Sequence, residues 1–164
     1  SHDVSAYGGL YQWGRCTDGH EKRTSQTTTT LSSTDTPIDN KFIIASSGVK
    51  DWRDPQNNSL WQGVSGINNP CPTGYRLPTE AEYTAEIATW SAATSVGAFG
   101  SPLKLTVAGY RTTGAVLTSA GTEGFYSTST VSGTSARYLF FTSSSAAIST
   151  QPRARGASVR CIKN

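Results

Sequence analysis

The sequence predicts an α+β domain with one main helix, many short strands and long loops. Three observations lead to this fold class. A helix-capping pattern opens the region 79–90, which has helical periodicity. The C-terminal third contains short segments in which apolar and polar residues alternate. The region 51–74 carries Trp52 and Trp61 among Asn, Asp, Pro and Gly without periodicity, which is typical of a long ordered loop.

The predicted helix begins after Thr79. Thr79 and Glu82 have the T-x-x-E spacing of a capping box, in which each side chain bonds the backbone N–H of the other residue. One apolar face follows at helical intervals: Tyr83, Ile87 and Trp90. Because capping requires these residue types at this spacing, we assign the carboxylates of this segment to helix initiation and not to catalysis.

Strands are predicted where short apolar or alternating segments occur. They are GGLYQWGR, KFIIASS, a segment near 103–110, GFYSTST, ARYLFFTSS, AAISTQ and GASVRCIKN. The Ser/Thr-rich segment 24–37 has no core-forming pattern and is predicted to be an exposed connector. With 164 residues, the chain 1–164 is expected to form one domain, cut from a longer protein.

The composition disfavours several classes of protein. Hydrophobic residues make up 35% and aromatic residues 10%, which is not the composition of a disordered chain. The formal net charge is +3 and no run of Lys or Arg occurs, so neither nucleic acid nor an anionic membrane is expected as a partner. No apolar stretch reaches the length of a membrane span, so no membrane insertion is expected.

Candidate catalytic and metal-binding residues are few. The chain has 3 cysteines and 2 histidines, and the cysteines form no CxxC motif, so a structural zinc site is disfavoured. Three cysteines allow one disulfide and leave one free thiol. His20 is the one useful base for a serine hydrolase, but the chain has no GxSxG turn. His20 with Asp18 and Glu21 could bind a metal, although a polar turn explains them as well. Cys16 could be a reactive thiol beside Arg15, although an inert cysteine is favoured.

Loop carboxylates offer oxygen ligands of the kind that Ca²⁺ prefers. They are Asp35, Asp39, Asp51 and Asp54. They lack the spacing of an EF-hand, and exposed loop acids are common without an ion. No cofactor is therefore expected, with Ca²⁺ as the alternative.

Linked motifs along nearly the whole chain resemble a known family. They are GLYQWGR, DWR, PQNN, LWQG, NNPCP, GYRLPTEAE, GAF, SPLKL, VAGYR, FY, ST and SVRCIK, in this order. On these motifs the chain resembles the Fibrobacter succinogenes major paralogous domain family, and RLPTEAE is also similar to formylglycine-generating enzymes. The resemblance implies a C-type-lectin-like fold, in which one or two helices pack on a small twisted antiparallel sheet with long ordered loops and the chain ends come together.

The resemblance also implies a disulfide between Cys71 and Cys161, because both lie inside family motifs, and it leaves Cys16 free. Two positions depart from the family pattern: Ser127 stands where the family commonly has Trp, and Ala157 where it commonly has an aromatic residue. Both lie in the C-terminal third, which is the ligand face in some C-type-lectin-like proteins. The framework motifs are kept, so this face is expected to be the altered part.

A ligand face is therefore expected on the C-terminal strands. Exposed Tyr and Arg side chains suit recognition, because Tyr offers a rigid ring with a polar tip and Arg offers a planar fork of donors. The predicted ligand-binding residues are Tyr126, Arg137, Tyr138, Gln151, Arg153 and Arg155. Phe140, Val159 and Cys161 are expected in the core.

The family occurs in surface and secreted proteins of bacteria and in phage-associated proteins. The resemblance therefore implies a non-catalytic, extracellular adhesion module on a phage particle, such as a tail fibre, or on a bacterial cell surface. Its expected partner is a glycan or protein receptor on a cell, and its parent protein is expected to be oligomeric. One alternative is a structural decoration domain without a ligand. Another is an enzyme of the formylglycine-generating type, disfavoured because that chemistry needs a pair of cysteines near the C-terminal end, where only Cys161 lies.

Overall fold

Eleven strands and two α-helices are the main elements of residues 3–164, the part of the chain that the computed structural model describes. The strands are β1 (Tyr11–Gln12), β2 (Thr27–Thr28), β3 (Phe42–Ile43), β4 (Tyr75–Arg76), β5 (Tyr110–Arg111), β6 (Leu117–Thr118), β7 (Gly124–Ser132), β8 (Ser135–Phe141), β9 (Ala146–Pro152), β10 (Gly156–Ala157) and β11 (Ile162–Lys163). The helices are α1 (Glu80–Ala88) and α2 (Ser95–Gly100), and a 3-10 turn covers Val4–Ala6. This is a small α+β fold with few helices, as predicted. Residues 1 and 2 of the predicted domain 1–164 lie outside the described residues.

Within the described residues, the strands form four small sheets. The longest strands make an antiparallel sheet in the order β7-β8-β9. A second antiparallel sheet has the order β1-β10-β5-β6, and two further pairs join β11 with β4 and β2 with β3. Because β1 pairs with β10, strands near the two ends of the chain lie side by side, which confirms that expectation.

The predicted capping box begins α1. Glu82 N–H donates to Thr79 Oγ1 at 3.3 Å, and Thr79 N–H donates to Glu82 Oε2 at 2.8 Å. Tyr83 is buried against the β7-β8-β9 sheet, and Ile87 and Trp90 pack beside it. The helix start and its apolar face are therefore confirmed, and the helix covers one face of the sheet.

Three tryptophans fix the long loop 51–74 against the rest of the chain. Trp13, Trp52 and Trp61 are each 0% exposed, and we call them the tryptophan core. Their indole N–H groups donate to backbone carbonyls: Trp13 to Thr128 at 2.9 Å, Trp52 to Trp13 at 2.7 Å and Trp61 to Asn68 at 2.9 Å. An aperiodic loop is thus ordered by buried side chains that satisfy backbone groups, in place of a strand ladder.

The disulfide between Cys71 and Cys161 is present, and Cys16 is a free, half-buried cysteine. The bridge joins the loop before α1 to the segment that enters β11. Burial, the largest effect, raises the pKa of Cys16, which is the opposite of what a reactive thiol needs.

Residues 103–109 do not form the predicted strand. Leu105 N–H donates to Ala98 O in α2, and Thr106 N–H donates to the Tyr126 hydroxyl at 2.7 Å. Because these partners are a helix carbonyl and a side chain, and Gly109 forms only an isolated bridge to Gly124, the segment has no strand ladder. The apolar residues of this segment therefore indicate burial and not a strand.

The last predicted strand is split into β10 and β11. Between them Ser158 bonds back to β7: its N–H donates to Phe125 O and its carbonyl accepts from Ser127 N–H, both at 2.9 Å. Val159 and Cys161 follow, and both are only half-buried. Their predicted core position is wrong because this segment runs along the outer side of the tryptophan core.

Candidate functional site

The predicted ligand-binding residues do not form one exposed surface. Tyr126, Gln151 and Arg153 are 1–2% exposed and Tyr138 is 8% exposed. The expectation that these four side chains are exposed is therefore wrong. Arg137 and Arg155 keep partial exposure.

Tyr126 is buried because of its position in the sheet register. It pairs with Leu139, which pairs with Ile148, so the row faces α1. Its hydroxyl accepts from Thr106 N–H at 2.7 Å, and its ring stacks on Phe141 at 5.8 Å. Tyr126 therefore closes the core beneath α1.

Arg137 lies on the same side of the sheet as Tyr126. Its Nε lies 3.1 Å from Glu80 Oε2 of α1 in an ion pair, and both side chains are about one third exposed, at 34% and 35%. Its charge thus has a partner within the protein. Such an exposed pair contributes little to stability.

Arg153 joins three parts of the chain and is unsuited to ligand binding. Its guanidinium donates to Asn58 Oδ1 and, at 3.1 Å, to Gly133 O, and it lies 4.7 Å from the Trp13 ring. The carboxylate of Asp51 is 3.6 Å away. Burial raises the pKa of Asp51 and lowers that of Arg153, and the attraction between the two charges opposes both shifts.

Gln151 is also buried, as are the two residues that depart from the family pattern, Ser127 and Ala157. Ser127 and Ala157 are each 0% exposed, and Gln151 Nε2 donates to Ser127 Oγ at 3.2 Å. A small polar contact therefore stands where the family commonly has Trp. The expectation that these departures alter the exposed face is wrong, since they change buried packing.

A partly exposed cluster of rings occurs on the side of the sheet away from α1. In register order, Phe125 pairs with Phe140 and Phe140 with Ala147, while Tyr138 pairs with Ser149. Tyr110 of β5 contacts Phe125 with ring centres 4.4 Å apart, and Arg155 stacks over Tyr110 at 4.6 Å. We call this cluster the aromatic face: Tyr110, Phe125, Tyr138, Phe140 and Arg155.

The aromatic face has a buried base and a partly exposed rim. Phe125 is 5% exposed and lies 5.5 Å from Tyr138 and 5.1 Å from Phe140. Tyr110, Phe140 and Arg155 are half-buried. Phe140 is thus not the core residue that was expected, because β9 offers only small side chains beside it. Sequence reasoning missed Tyr110 entirely; the signal was its position in the VAGYR motif.

Arg155 differs from the other stacked arginines of the chain. Its Nε is buried without an acceptor, as are those of Arg15 and Arg153. The difference lies in the terminal nitrogens, which have acceptors in Arg15 and Arg153 but none among residues 3–164 in Arg155. By contrast, Arg111 stacks over Phe42 at 4.4 Å but donates to Ser25 Oγ at 2.6 Å. Because an arginine carries five donors, Arg155 has hydrogen-bonding capacity to spare beside partly exposed rings.

The cluster of Asp18, His20 and Glu21 has the ligand spacing of a metal site, with its oxygen and nitrogen atoms within 4.8 Å. However, Gln12 N–H donates to His20 Nε2 at 3.1 Å, and His20 Nδ1 lies 2.6 Å from Asp18 Oδ1. A backbone N–H can only donate, so Nε2 is the acceptor and Nδ1 carries the proton. Both ring nitrogens are in use, and the polar-turn interpretation is favoured.

Two hollows of about 530 and 640 Å³ flank Leu31. They are lined by the connector 24–37, by the segment 44–50 and by parts of 38–43 and 51–56, and Asp51 lies in the first. That carboxylate already accepts from Gln56 Nε2 at 2.7 Å and from Arg53 N–H at 3.2 Å. None of the predicted ligand residues lines either hollow.

The loop carboxylates weighed for Ca²⁺ mostly have protein partners. Asp35 Oδ1 lies 2.8 Å from Arg53 Nε in an ion pair, and Asp39 lies 3.4 Å from Lys41 Nζ. With Asp51 bonded as above, these oxygens neutralise and position neighbouring side chains.

Comparison of the chain with protein-family models, curated proteins and solved structures finds no match. Within residues 3–164, no helix combines the length and the apolar character that crossing a membrane requires.

Proposed function

We propose that this chain is a non-catalytic ligand-binding module with a C-type-lectin-like fold, which attaches its parent protein to a cell through the aromatic face. The observation that carries the proposal is Arg155, whose unbonded guanidinium lies on a partly exposed group of rings. In this proposal the partner is a glycan or protein receptor, and the parent protein belongs to a phage particle or a bacterial surface.

The composition and rigidity of the aromatic face support binding. Aromatic and Arg side chains dominate binding hot spots, because they offer large contact areas and directed donors. Here the rings of Phe125, Tyr138 and Phe140 stack on a continuous sheet, so little side-chain freedom is left to lose on binding. A preorganised surface of this kind favours recognition.

The location of the face also agrees with the resemblance. Three of its five residues lie on β7 and β8, and Arg155 follows β9, all in the C-terminal third, the ligand region in some C-type-lectin-like proteins. Two helices, adjacent strands from the two chain ends and a long loop fixed by the tryptophan core fit such a fold. The disulfide is compatible with an extracellular location.

Two features support a non-catalytic role. His20, the one useful base of the sequence, is 0% exposed and bonded through both ring nitrogens. Cys161 is joined to Cys71, which removes the cysteine that a formylglycine-generating site would need. A decoration domain without a ligand is the remaining alternative, and the following experiment separates it from binding.

The test compares wild-type protein with Phe140→Ala in binding to whole cells of candidate bacterial hosts. Phe140→Ala should weaken binding by about 1 kcal/mol or more, roughly fivefold, because it removes an anchoring ring. Phe99→Ala is the matched control, since Phe99 is 41% exposed on α2, outside the aromatic face. Equal binding by both folded variants contradicts the proposal, and wild-type protein that binds no cells favours the decoration role.

A further inference from the structure

We infer that the aromatic face binds an acidic sugar, whose carboxylate pairs with Arg155 while the sugar ring stacks on the exposed rings. This inference rests on the proposed function, since it names the ligand class of the same site. It also makes a separate claim, because a binding module could equally recognise a neutral glycan or a protein.

The first step is the missing partner of Arg155. Among the described residues, no carboxylate or other acceptor bonds its guanidinium, whereas Arg15, Arg137 and Arg153 each have an acid within reach. A guanidinium is always charged at physiological pH, and it forms its strongest hydrogen bonds with an anion. A carboxylate on another molecule would complement the charge of Arg155.

The second step is the shape of the free part of Arg155. The Tyr110 ring covers one side of the guanidinium plane at 4.6 Å, and Nε is buried. The two terminal nitrogens of the guanidinium form its accessible edge. A planar carboxylate matches such an edge with two parallel hydrogen bonds, which favours it over a lone hydroxyl.

The third step is the apolar surface beside this charge. Phe125 contacts both parts of the site: it lies 5.9 Å from the Arg155 guanidinium and 5.1 Å from the Phe140 ring. The Arg155 guanidinium and the half-buried Phe140 ring thus both lie beside the Phe125 ring. Sugars present an apolar C–H surface that can lie on an aromatic ring, while their hydroxyls remain in water. An acidic sugar combines the two required features in one residue.

The border of the site suits a sugar better than a large apolar ligand. Beside Phe140 and Tyr138, β9 contributes Ala147, which is exposed, and Ser149, which is half-buried. These side chains are small and uncharged, so they leave room at the rim, and the Ser149 hydroxyl can donate or accept.

Arg160 shows that an unbonded Nε alone is insufficient. Its Nε is also buried without an acceptor, but no aromatic stacking contact to its guanidinium occurs among the described residues. Only Arg155 combines free donors with the partly exposed rings of the aromatic face. The inference depends on that combination.

The test is a glycan array with three matched sets: carboxylate-bearing glycans, the same glycans with each carboxyl reduced to a hydroxymethyl group, and sulfated glycans. Wild-type protein should bind members of the carboxylate set and lose at least about tenfold in affinity for their reduced forms. Equal binding to reduced forms, or binding only to neutral or sulfated glycans, overturns the inference while leaving the proposed function standing.

Variants locate the effect on the protein. Arg155→Ala should lose at least about tenfold in affinity for the bound acidic glycan, and Arg155→Lys should lose an intermediate amount, because Lys keeps the charge without the planar fork. Arg137→Ala, which removes the same charge from the other side of the sheet, should bind like wild type. Unchanged binding by Arg155→Ala overturns the inference.

A further arm separates the inference from the proposed function. Protein that binds host cells but no glycan of any set recognises another receptor, which overturns the acidic-sugar inference alone. Protein that binds neither cells nor glycans overturns both.

Discussion

Arg153 and Arg155 stand two positions apart and both stack on aromatic rings, yet their surroundings differ. Arg153 is 1% exposed and bonded to loop oxygens from two distant segments, close to the buried Asp51. Arg155 is half-buried and has no acceptor among the described residues. The difference teaches that residue type alone does not separate an arginine that stabilises the fold from one that can bind a ligand. The two kinds of arginine differ in the number of hydrogen-bond acceptors around the guanidinium.

The same contrast applies to the regions in which they lie. In the tryptophan core, each indole N–H has a carbonyl partner, and the nearby arginines are bonded. The aromatic face is packed around Phe125 at its base, but at its rim no acceptor among the described residues bonds any nitrogen of the Arg155 guanidinium. We therefore assign stability to the first region and recognition to the second, and the following predictions test that division.

The largest effect is expected for Arg153→Ala. It removes the partner of Asp51, whose side chain is 5% exposed, and leaves an uncompensated buried charge. Breaking a buried pair in this way costs about 3–5 kcal/mol of unfolding free energy, measured by urea denaturation. Arg137→Ala breaks the exposed pair with Glu80 and should cost about 1 kcal/mol or less. Equal losses in the two variants would contradict the structural role of Arg153.

Thr79→Ala should have a smaller effect on stability and none on binding. It removes the side chain that caps α1, which costs about 0.5–2 kcal/mol. Because α1 covers the opposite side of the β7-β8-β9 sheet, the affinity of the folded protein for its ligand should not change. A loss of binding at unchanged stability would instead place the α1 start in the functional site.

The helix start was predictable because a capping box is local: its residues are three apart and bond each other. The disulfide was predictable only from the resemblance, since its cysteines are 90 residues apart. The strands β7, β8 and β9 were predictable as short segments rich in aromatic and β-branched residues. These features follow from short-range patterns or from a family pattern.

The side that each aromatic residue faces was not predictable. Phe125 and Tyr126 are adjacent, as are Phe140 and Phe141, so both sides of the sheet carry rings. Only the position of α1 decides that Tyr126 and Phe141 are buried while Phe140 is half-buried. Likewise, the acceptors of Arg153 lie in loops distant in sequence, and no local pattern encodes them.

A modest effect of pH is expected from His20. Burial, the largest cause, lowers its pKa below the ordinary 6.5, so the folded protein binds this proton less readily than the unfolded chain. The contribution of His20 to the unfolding free energy is complete above the unfolded-state pKa. It is lost as the pH falls from that pKa through the lower folded-state pKa. The surrounding charged groups are Asp18, Glu21 and Arg15.

The measurement is urea denaturation of wild type and His20→Gln between about pH 7.5 and pH 5.5. The wild type should lose unfolding free energy relative to the variant as the pH falls, because glutamine takes up no proton. Parallel pH curves for the two proteins would show that His20 is not held neutral in the fold. Binding at the aromatic face should be unaffected at pH values where the protein is folded.

The most direct test of the division between the two regions is to measure both the stability and the cell binding of Arg155→Ala. Losing its contact with Tyr110 should lower the unfolding free energy by only about 0.5–1 kcal/mol. Binding to host cells should fall by at least about fivefold, as expected for an anchor residue. A variant that binds cells as well as wild type, or that loses as much stability as Arg153→Ala, would contradict the account.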